Sequence, residues 1–389
     1  MASQAATAAQ LNVAARNAVL SRAVEVTQLQ PNAITWNPSA SGNYTQVLKP
    51  SMVGLITDFW IKVSATINNS STTAGTATTL GLANLISNIT LIDVQNFERI
   101  NTSGLHLGYI EDLRQRKPTG QTYSIANATG DQSPLGYGNN YAKDVLPASL
   151  AASGNTTVVQ YLRIPLRYDN MTLRGALYAQ VINQTASLQI TLNSNIATTG
   201  TNPMAVYNGS GAAGTITSAT IELYQTYLDQ LPVDGNGNPI LPLGDLGIIY
   251  EFKKTTYSSL SAGVDAIIPY QSNRTFLSTL MLYNNGGTLN AGSDINYFKL
   301  KNANSYTYQY VQPEFLSMKV SRNMGLDLPA GVYMMSHRQQ PIATNVSGNI
   351  ALYFNPSTVN ANALFNVYYE DTAIESILSN SPSIANQAA

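Results

Sequence analysis

From about residue 33 onward, apolar residues recur at every second position, in short runs separated by Gly, Asn, Ser and Pro. Residues 61–67, IKVSATI, place Ile61, Val63, Ala65 and Ile67 on one face and Lys62, Ser64 and Thr66 on the other. Residues 187–192 alternate Leu188, Ile190 and Leu192 with Ser187, Gln189 and Thr191. Residues 219–228 repeat the pattern with Ala219, Ile221 and Leu223 opposite Thr220, Glu222 and Tyr224. Further runs lie at 85–94, 158–168, 264–270, 276–283, 349–355 and 363–370. Successive side chains of a strand point to opposite faces, so strict alternation marks strands with one buried face. Turn residues between such runs mark antiparallel pairing, and the pattern favours β-sandwiches over a wound α/β fold. At 389 residues the chain exceeds one ordinary core and suits two domains.

The surface such domains present is poor in charge. Asp, Glu, Lys and Arg make up 11% of the chain and the net charge is -1; soluble proteins average roughly 25% charged residues. Near-neutral surfaces associate, so much of this surface is expected to be covered by further copies of the chain. The absence of cysteine excludes disulfides and thiolate zinc sites. The first residues carry no apolar core of the signal-peptide kind, and no run approaches the ~20 apolar residues of a membrane span. Triplets such as Asn88-Ile89-Thr90 and Asn345-Val346-Ser347 then read as by-products of an Asn- and Thr-rich composition, and synthesis is expected in the cytosol.

Residues 3–27 are alanine-rich, lack Gly and Pro, and predict one helix capped by Ser3. Arg16 and Arg22 make it basic, with no acid before Glu25. Its weak apolar face includes Leu11, Val13, Val19, Leu20 and Val24. Two readings stay open: the helix lies on its own domain or a neighbour, or it rests near an anionic bilayer or nucleic acid. Leu11, Arg16, Leu20 and Arg22 are its candidate contact residues. A short helix over 102–115, capped by Thr102 or Ser103, is the second helical expectation. Long polar loops at 68–84, 118–157 and 193–215 are the kind that serve a function or gain order from a partner. The uncharged segment after Glu375 reads as an arm.

Residues 227–246, YLDQLPVDGNGNPILPLGDL, divide the strand runs into two groups. Asp234, Asn236 and Asn238, with Asp245 at the twelfth position, copy part of a calcium loop. The sixth position, which needs glycine for its sharp turn, is Pro239, and no helical pattern flanks the loop. A connector stiffened by Pro232, Pro239 and Pro242, with Asp234 at its turn, is the better reading, and it would hold two domains at a set angle. The expected division is a helical arm at 1–30, a first sandwich at 31–232, the connector at 233–246, a second sandwich at 247–375 and an arm at 376–389. NMTLRGALY from Asn170 is faintly echoed by NMGLDLPAGVY from Asn323, which fits two sandwiches of one kind.

Other candidate chemistry is thin. GSGAAG at 209–214 matches G-x-G-x-x-G but is followed by a strand pattern, whereas a dinucleotide site needs a helix there. His106 and His337 are the two histidines, too few for a cupin-like metal enzyme, and both read as structural or surface residues. The basic cluster RQRKP at 114–118 sits in a neutral chain, which argues against a nucleic-acid footprint. Glu111-Asp112 is an ordinary acidic pair. No cofactor or metal is expected. A carbohydrate-binding sandwich, such as a receptor-binding spike, remains the alternative, since tyrosine-rich loops stack on sugars.

The segment from Tyr224 to Leu246 resembles the major capsid proteins of tectiviruses, tailless icosahedral bacteriophages with an internal membrane. Blocks in the same order carry the resemblance: TSGLHL at 102–107, TNPMAVYNGSGAA at 201–213, YNNGGTLNAGSDINY at 283–297, PAGVY at 329–333 and NPSTVNANA at 355–363. The resemblance implies an all-β double jelly roll, two eight-stranded sandwiches in one chain, with an N-terminal helix and an extended C-terminal arm. It implies no enzymatic role. It further implies pseudo-hexagonal homotrimers tiling the facets of a virion shell and meeting neighbouring trimers, vertex (penton) and minor capsid proteins. The N-terminal helix would face the underlying viral membrane, nucleic acid would not be recognised directly, and synthesis would occur in the host bacterial cytoplasm.

Overall fold

The computed structural model describes residues 7–30, 32–114, 144–169, 171–180, 184–209, 214–290, 292–302, 307–324, 328–344 and 349–374. Helix α1 (Ala8–Arg22) begins with a reciprocal cap: the Gln10 N–H donates to Thr7 Oγ1 and the Thr7 N–H to Gln10 Oε1, at 3.3 and 2.8 Å. The helix expected to continue to Thr27 stops at Arg22, and Ser3 lies outside the described residues. From Val24 the sequence alternates, and hydrogen bonding to a long neighbouring strand outweighs the residual helix propensity.

The first half builds eight principal strands: β1 (Val24–Leu29), β2 (Thr45–Leu48), β3 (Leu55–Asn69), β4 (Ile86–Ile92), β5 (Glu98–Thr102), β6 (Gly154–Pro165), β7 (Ser187–Leu192) and β8 (Gly214–Asp229). The second builds β9 (Ile248–Tyr257), β10 (Ala266–Pro269), β11 (Arg274–Asn284), β12 (Ile295–Asn302), β13 (Thr307–Val311), β14 (Val332–Ser336), β15 (Ile350–Pro356) and β16 (Leu364–Ile374). In the first sandwich β1-β8-β3-β6 faces β2-β7-β4-β5. In the second β9-β16-β11-β14 faces β10-β15-β12-β13. Each strand of the second half thus occupies the place of the strand eight earlier in the first. Helices follow suit: α2 (Gly104–Arg114) leaves β5 as α4 (Pro313–Met324) leaves β13. One irregularity matches as well. The β8–β3 pairing skips Thr57 and the β16–β11 pairing skips Leu277, one bulge at the same place in each sheet.

Two expectations about organisation are corrected here. The segment 24–29, placed in the helical arm, is the outer strand of the first sandwich. The echoed segments are not equivalent: the one from Asn170 falls between β6 and β7, and the one from Asn323 runs from the last residues of α4 into β14. The duplication lies in topology, and that short echo does not mark equivalent places in the two halves. The arm 376–389, the cluster beyond Arg114 and most of the loop 118–157 lie outside the described residues, as do residues 210–213 of GSGAAG.

The sheets do not stop at the domain boundary. Strand β5 of the first half lies parallel to β9 of the second, with Ile100 opposite Phe252 and Asn101 opposite Lys253, so one nine-stranded sheet runs through both. Apolar packing follows it. One buried cluster joins Ile100, Leu107 and Tyr109 to Phe252, Leu280 and Tyr368, while a second, centred on Phe298, Phe354 and Phe365, fills the second sandwich. Strand β16 is accordingly buried on both faces, Tyr368 in the joint core and Val367 and Tyr369 in the second sandwich.

Candidate functional site

The connector and the N-terminal helix form one unit. Its tip, residues 233–238, is an exposed turn closed by a bridge between Val233 and Pro239. Asp234 Oδ1 accepts the N–H groups of Asn236 and Asn238 at 2.8 and 2.9 Å, and these bonds hold its carboxyl below the usual carboxylate range. Gly237 supplies the left-handed backbone (φ +85°) the turn requires. Pro232 and Pro242 are buried and Pro239 is half-buried. Helix α3 (Leu243–Leu246) follows, and its Asp245 side chain is buried.

Asp245 is where α1 is fastened. Asn12 Nδ2 donates to Asp245 Oδ1 at 3.0 Å, and Asn12 Oδ1 accepts from the Gly244 N–H at 2.8 Å. The Arg16 guanidinium lies 3.6 Å from Asp245 Oδ2, which also accepts the Leu173 N–H at 3.2 Å. Val19 is fully buried among Leu55, Leu173, Leu228, Leu241 and Leu246. Arg16 therefore turns inward onto its own chain, because a buried carboxylate offers it more than open solvent; it had been a candidate membrane or subunit contact, with a helix lying on its own domain the other open reading. Leu11, Leu20 and Arg22 remain exposed. Both carboxylates of the calcium-like pattern serve protein donors, and among the described residues no cluster of three His, Cys, Asp or Glu could hold a metal.

Orientation of the two halves was expected to reside in this connector. The structure places much of it in the β5–β9 joint. His106 on α2 presses its ring against Phe252 and Tyr368, centroids 5.6 and 5.3 Å away, and its Nδ1 shares a 2.9 Å hydrogen bond with Thr102 Oγ1. Burial pushes the His106 imidazole down to about 3, so it is neutral across the ordinary pH range. Gly175 comes so close to Tyr250 that a Cβ would lie 2.7 Å from the Tyr250 Cβ and 2.3 Å from the Leu166 carbonyl oxygen. The Arg338 guanidinium stands over the Tyr168 ring at 5.7 Å and pairs with Glu370, which also accepts from Tyr250 and, at 2.6 Å, from Ser278. Aromatic and ionic contacts thus tie 98–175 to 250–370 independently of the connector.

Elsewhere the ionisable residues are structural. Glu111, the described member of the acidic pair, is buried and accepts from Arg163 at 3.2 Å, and Arg163 also pairs with Asp58 at 2.6 Å. His337 is buried, and burial together with Lys319 pushes its imidazole down to about 4. Inside the second sandwich, burial and the neighbouring Glu251 push the Asp371 carboxyl up to about 7 despite Arg274 beside it at 3.3 Å. Asn12 is not marked out by the sequence, and Asp245 is marked only as the twelfth position of the calcium-like pattern, not as the partner of the first helix. Only spacing hints at Asn12: Asn12, Arg16, Val19 and Ala23 are spaced four, three and four apart, one stripe of a helix.

Family models of this fold match both halves. One described as the P3 major capsid protein N-terminal covers residues 1–231, and one described as P3 major capsid protein C-terminal covers residues 247–386. The major capsid protein P3 of Enterobacteria phage PRD1 is 34% identical over 365 residues, 92% of this chain and 90% of that protein. Two solved structures share the fold at low identity. The MCP of STIV, Sulfolobus Turreted Icosahedral Virus, aligns at a TM-score of 0.65 and 14% identity over 94% of this chain and 99% of its own. PBCV-1 VP54 aligns at a TM-score of 0.57 and 13% identity over 90% of this chain and 94% of its own. Double jelly roll, matched halves and family models converge: the chain belongs to the P3 major capsid protein family, structural subunits of a tectivirus shell.

Proposed function

We propose that three copies of this chain close into a pseudo-hexagonal homotrimer, and that such trimers tile the facets of an icosahedral shell around an internal membrane. The observation that carries the reading is the equivalence of β1–β8 with β9–β16, bulge included. Two like blocks per chain and three chains give six blocks around an axis, so a trimer presents a six-sided outline. Contacts between tiles need not each reach the ~1,600 Å² of a standard interface, because several neighbours hold every tile at once.

In this reading the chain is made in the host bacterial cytoplasm, performs no catalysis and recognises no nucleic acid directly. Trimers meet one another, minor capsid proteins and the vertex protein. Helix α1, fastened to the connector by Asn12 and Arg16, offers Leu11, Leu20 and Arg22 outward, and these residues lie against the membrane surface. Among the described residues no helix is long and apolar enough to cross a membrane, so α1 would rest on lipid. Sedimentation of the purified chain tests the trimer: a three-chain species supports it, and a solitary 41.7 kDa chain at micromolar concentration overturns it.

A further inference from the structure

The internal duplication assigns a use to surface that one copy leaves bare. Within the chain, α2 and β5 of the first half are covered by β9, β16 and β11 of the second. The counterparts of α2 and β5 are α4 and β13, and among the described residues nothing covers them in the same way. Counting from the helix starts, Gly104 corresponds to Pro313, His106 to Phe315, Leu107 to Leu316 and Tyr109 to Met318. Leu107 and Leu316 are both buried against their own sandwiches. His106 and Tyr109 are 0% exposed, whereas Phe315 is 48% and Met318 53% exposed. The same helix positions are thus apolar in both halves and satisfied in only one.

The opposite half of the joint is also bare. The counterpart of β9 is β1, an outer strand that among the described residues pairs only with β8 and exposes Val24 and Leu29. Strand β13 is likewise an outer strand among the described residues, pairing there only with β12 and exposing Tyr310. Unpaired strand edges with apolar side chains are association surfaces. The shared bulge fixes the register between halves: Thr226 matches Glu370, so Thr27 matches Phe252, Gln28 matches Lys253 and Tyr224 matches Tyr368.

We infer that β13 and α4 of one copy dock on β1 and β8 of a second copy, repeating between chains the joint that β5 and α2 make with β9 and β16 within one. The occupant is a further copy of this chain, because the covering surface is the structural counterpart of the one that covers α2. The contact is head to tail, which closes into a ring when the rotation permits. Translating the intrachain pairs Ile100–Phe252 and Asn101–Lys253 places Gln309 opposite Thr27 and Tyr310 opposite Gln28 of the neighbour. Phe315 takes the position of His106 and packs on Tyr224 of the neighbour, as His106 packs on Tyr368. The inference rests on the trimer reading and adds its residues and register.

The cysteine-free chain makes the test clean. Paired strands lie about 5 Å apart, within the about 4.4–6.8 Å Cα range of a disulfide. Co-expressed Thr27→Cys and Gln309→Cys chains should yield a disulfide-linked two-chain species on oxidation that neither variant yields alone. Thr27→Cys with Val264→Cys, another exposed position, should yield none. Phe315→Asp should weaken trimer association about tenfold or more with an unchanged circular dichroism spectrum, and Phe315→Leu should retain it. Intact trimers without the Thr27–Gln309 link, or equal linking to position 264, overturn this joint and leave the trimer standing. A wild-type chain that never forms trimers overturns both.

Discussion

Asn12 and Asp245 stand 233 residues apart in sequence and share a 3.0 Å hydrogen bond, so the first helix and the connector are one structural unit. Asn12→Ala removes a donor to a buried carboxylate and an acceptor for the Gly244 N–H. Leaving such a group unmatched costs about 1–3 kcal/mol. We expect faster hydrogen exchange in α1 and a lower denaturation midpoint, with exchange in β12 and β15 unchanged. Asp245→Asn should cost at least as much, since its NH2 must face either Asn12 Nδ2 or the Leu173 N–H and Arg16, which also loses its anion.

Gly175 has φ +87° and no room for a methyl group against Leu166 and Tyr250. Gly175→Ala combines backbone strain of about 1–3 kcal/mol with a clash against backbone that cannot move aside. It should lower the melting temperature by several degrees and expose the first-half and second-half cores together. A variant melting like the wild type would show that the joint is looser than these distances imply.

Acid should weaken the fold through its histidines. His106 and His337 are held near 3 and 4, below the ordinary imidazole value of 6.5, so the unfolded chain binds their protons first. Their contribution is full above pH 6.5 and falls by about 1.4 kcal/mol per pH unit for each as pH drops towards 4. Asp371, raised from 3.8 to about 7, works in the opposite sense: its cost grows as pH rises through that window. These three leave the net slope of about one proton. Chemical denaturation at pH 4.5 and 6.5 should show a smaller difference in His106→Gln and a larger one in Asp371→Asn.

Cutting the connector should not part the halves. A protease site placed between Gly235 and Asn236, in the exposed turn, should give two fragments that elute together under native conditions. The shared sheet and the contacts of His106, Tyr250 and Arg338 hold them. Fragments that separate without denaturant would return the fixing of the two halves to Pro232, Pro239 and Pro242.

Alternation at Ile61–Ile67 and Leu188–Leu192 made the sandwiches legible in sequence, because those strands bury one face against one core. Strands buried on both faces gave a weaker signal: β11 reads as a mixed apolar run since both its faces meet side chains. β1 was hidden because alanine-rich helix runs into it without a Gly or Pro break. The candidate site was half legible. Leu11, Leu20 and Arg22 lie outward, a point the sequence left open, while the inward turn of Arg16 depends on Asp245, which only the fold brings near. The joint had no local signal at all, since Ile100–Phe252 is a pairing across half the chain.

The bulges at Thr57 and Leu277 mark two sheets of one design whose outer faces have parted ways. In register, Trp60 answers to Leu280 and Lys62 to Leu282; the first member of each pair is half-buried, the second wholly enclosed. A lysine is therefore at home at position 62 and would be ruinous at 282, although both sites sit on the same blueprint. Inherited tolerance to substitution is thus unequal between twins, and the twin enclosed within the chain is the one with less freedom to drift.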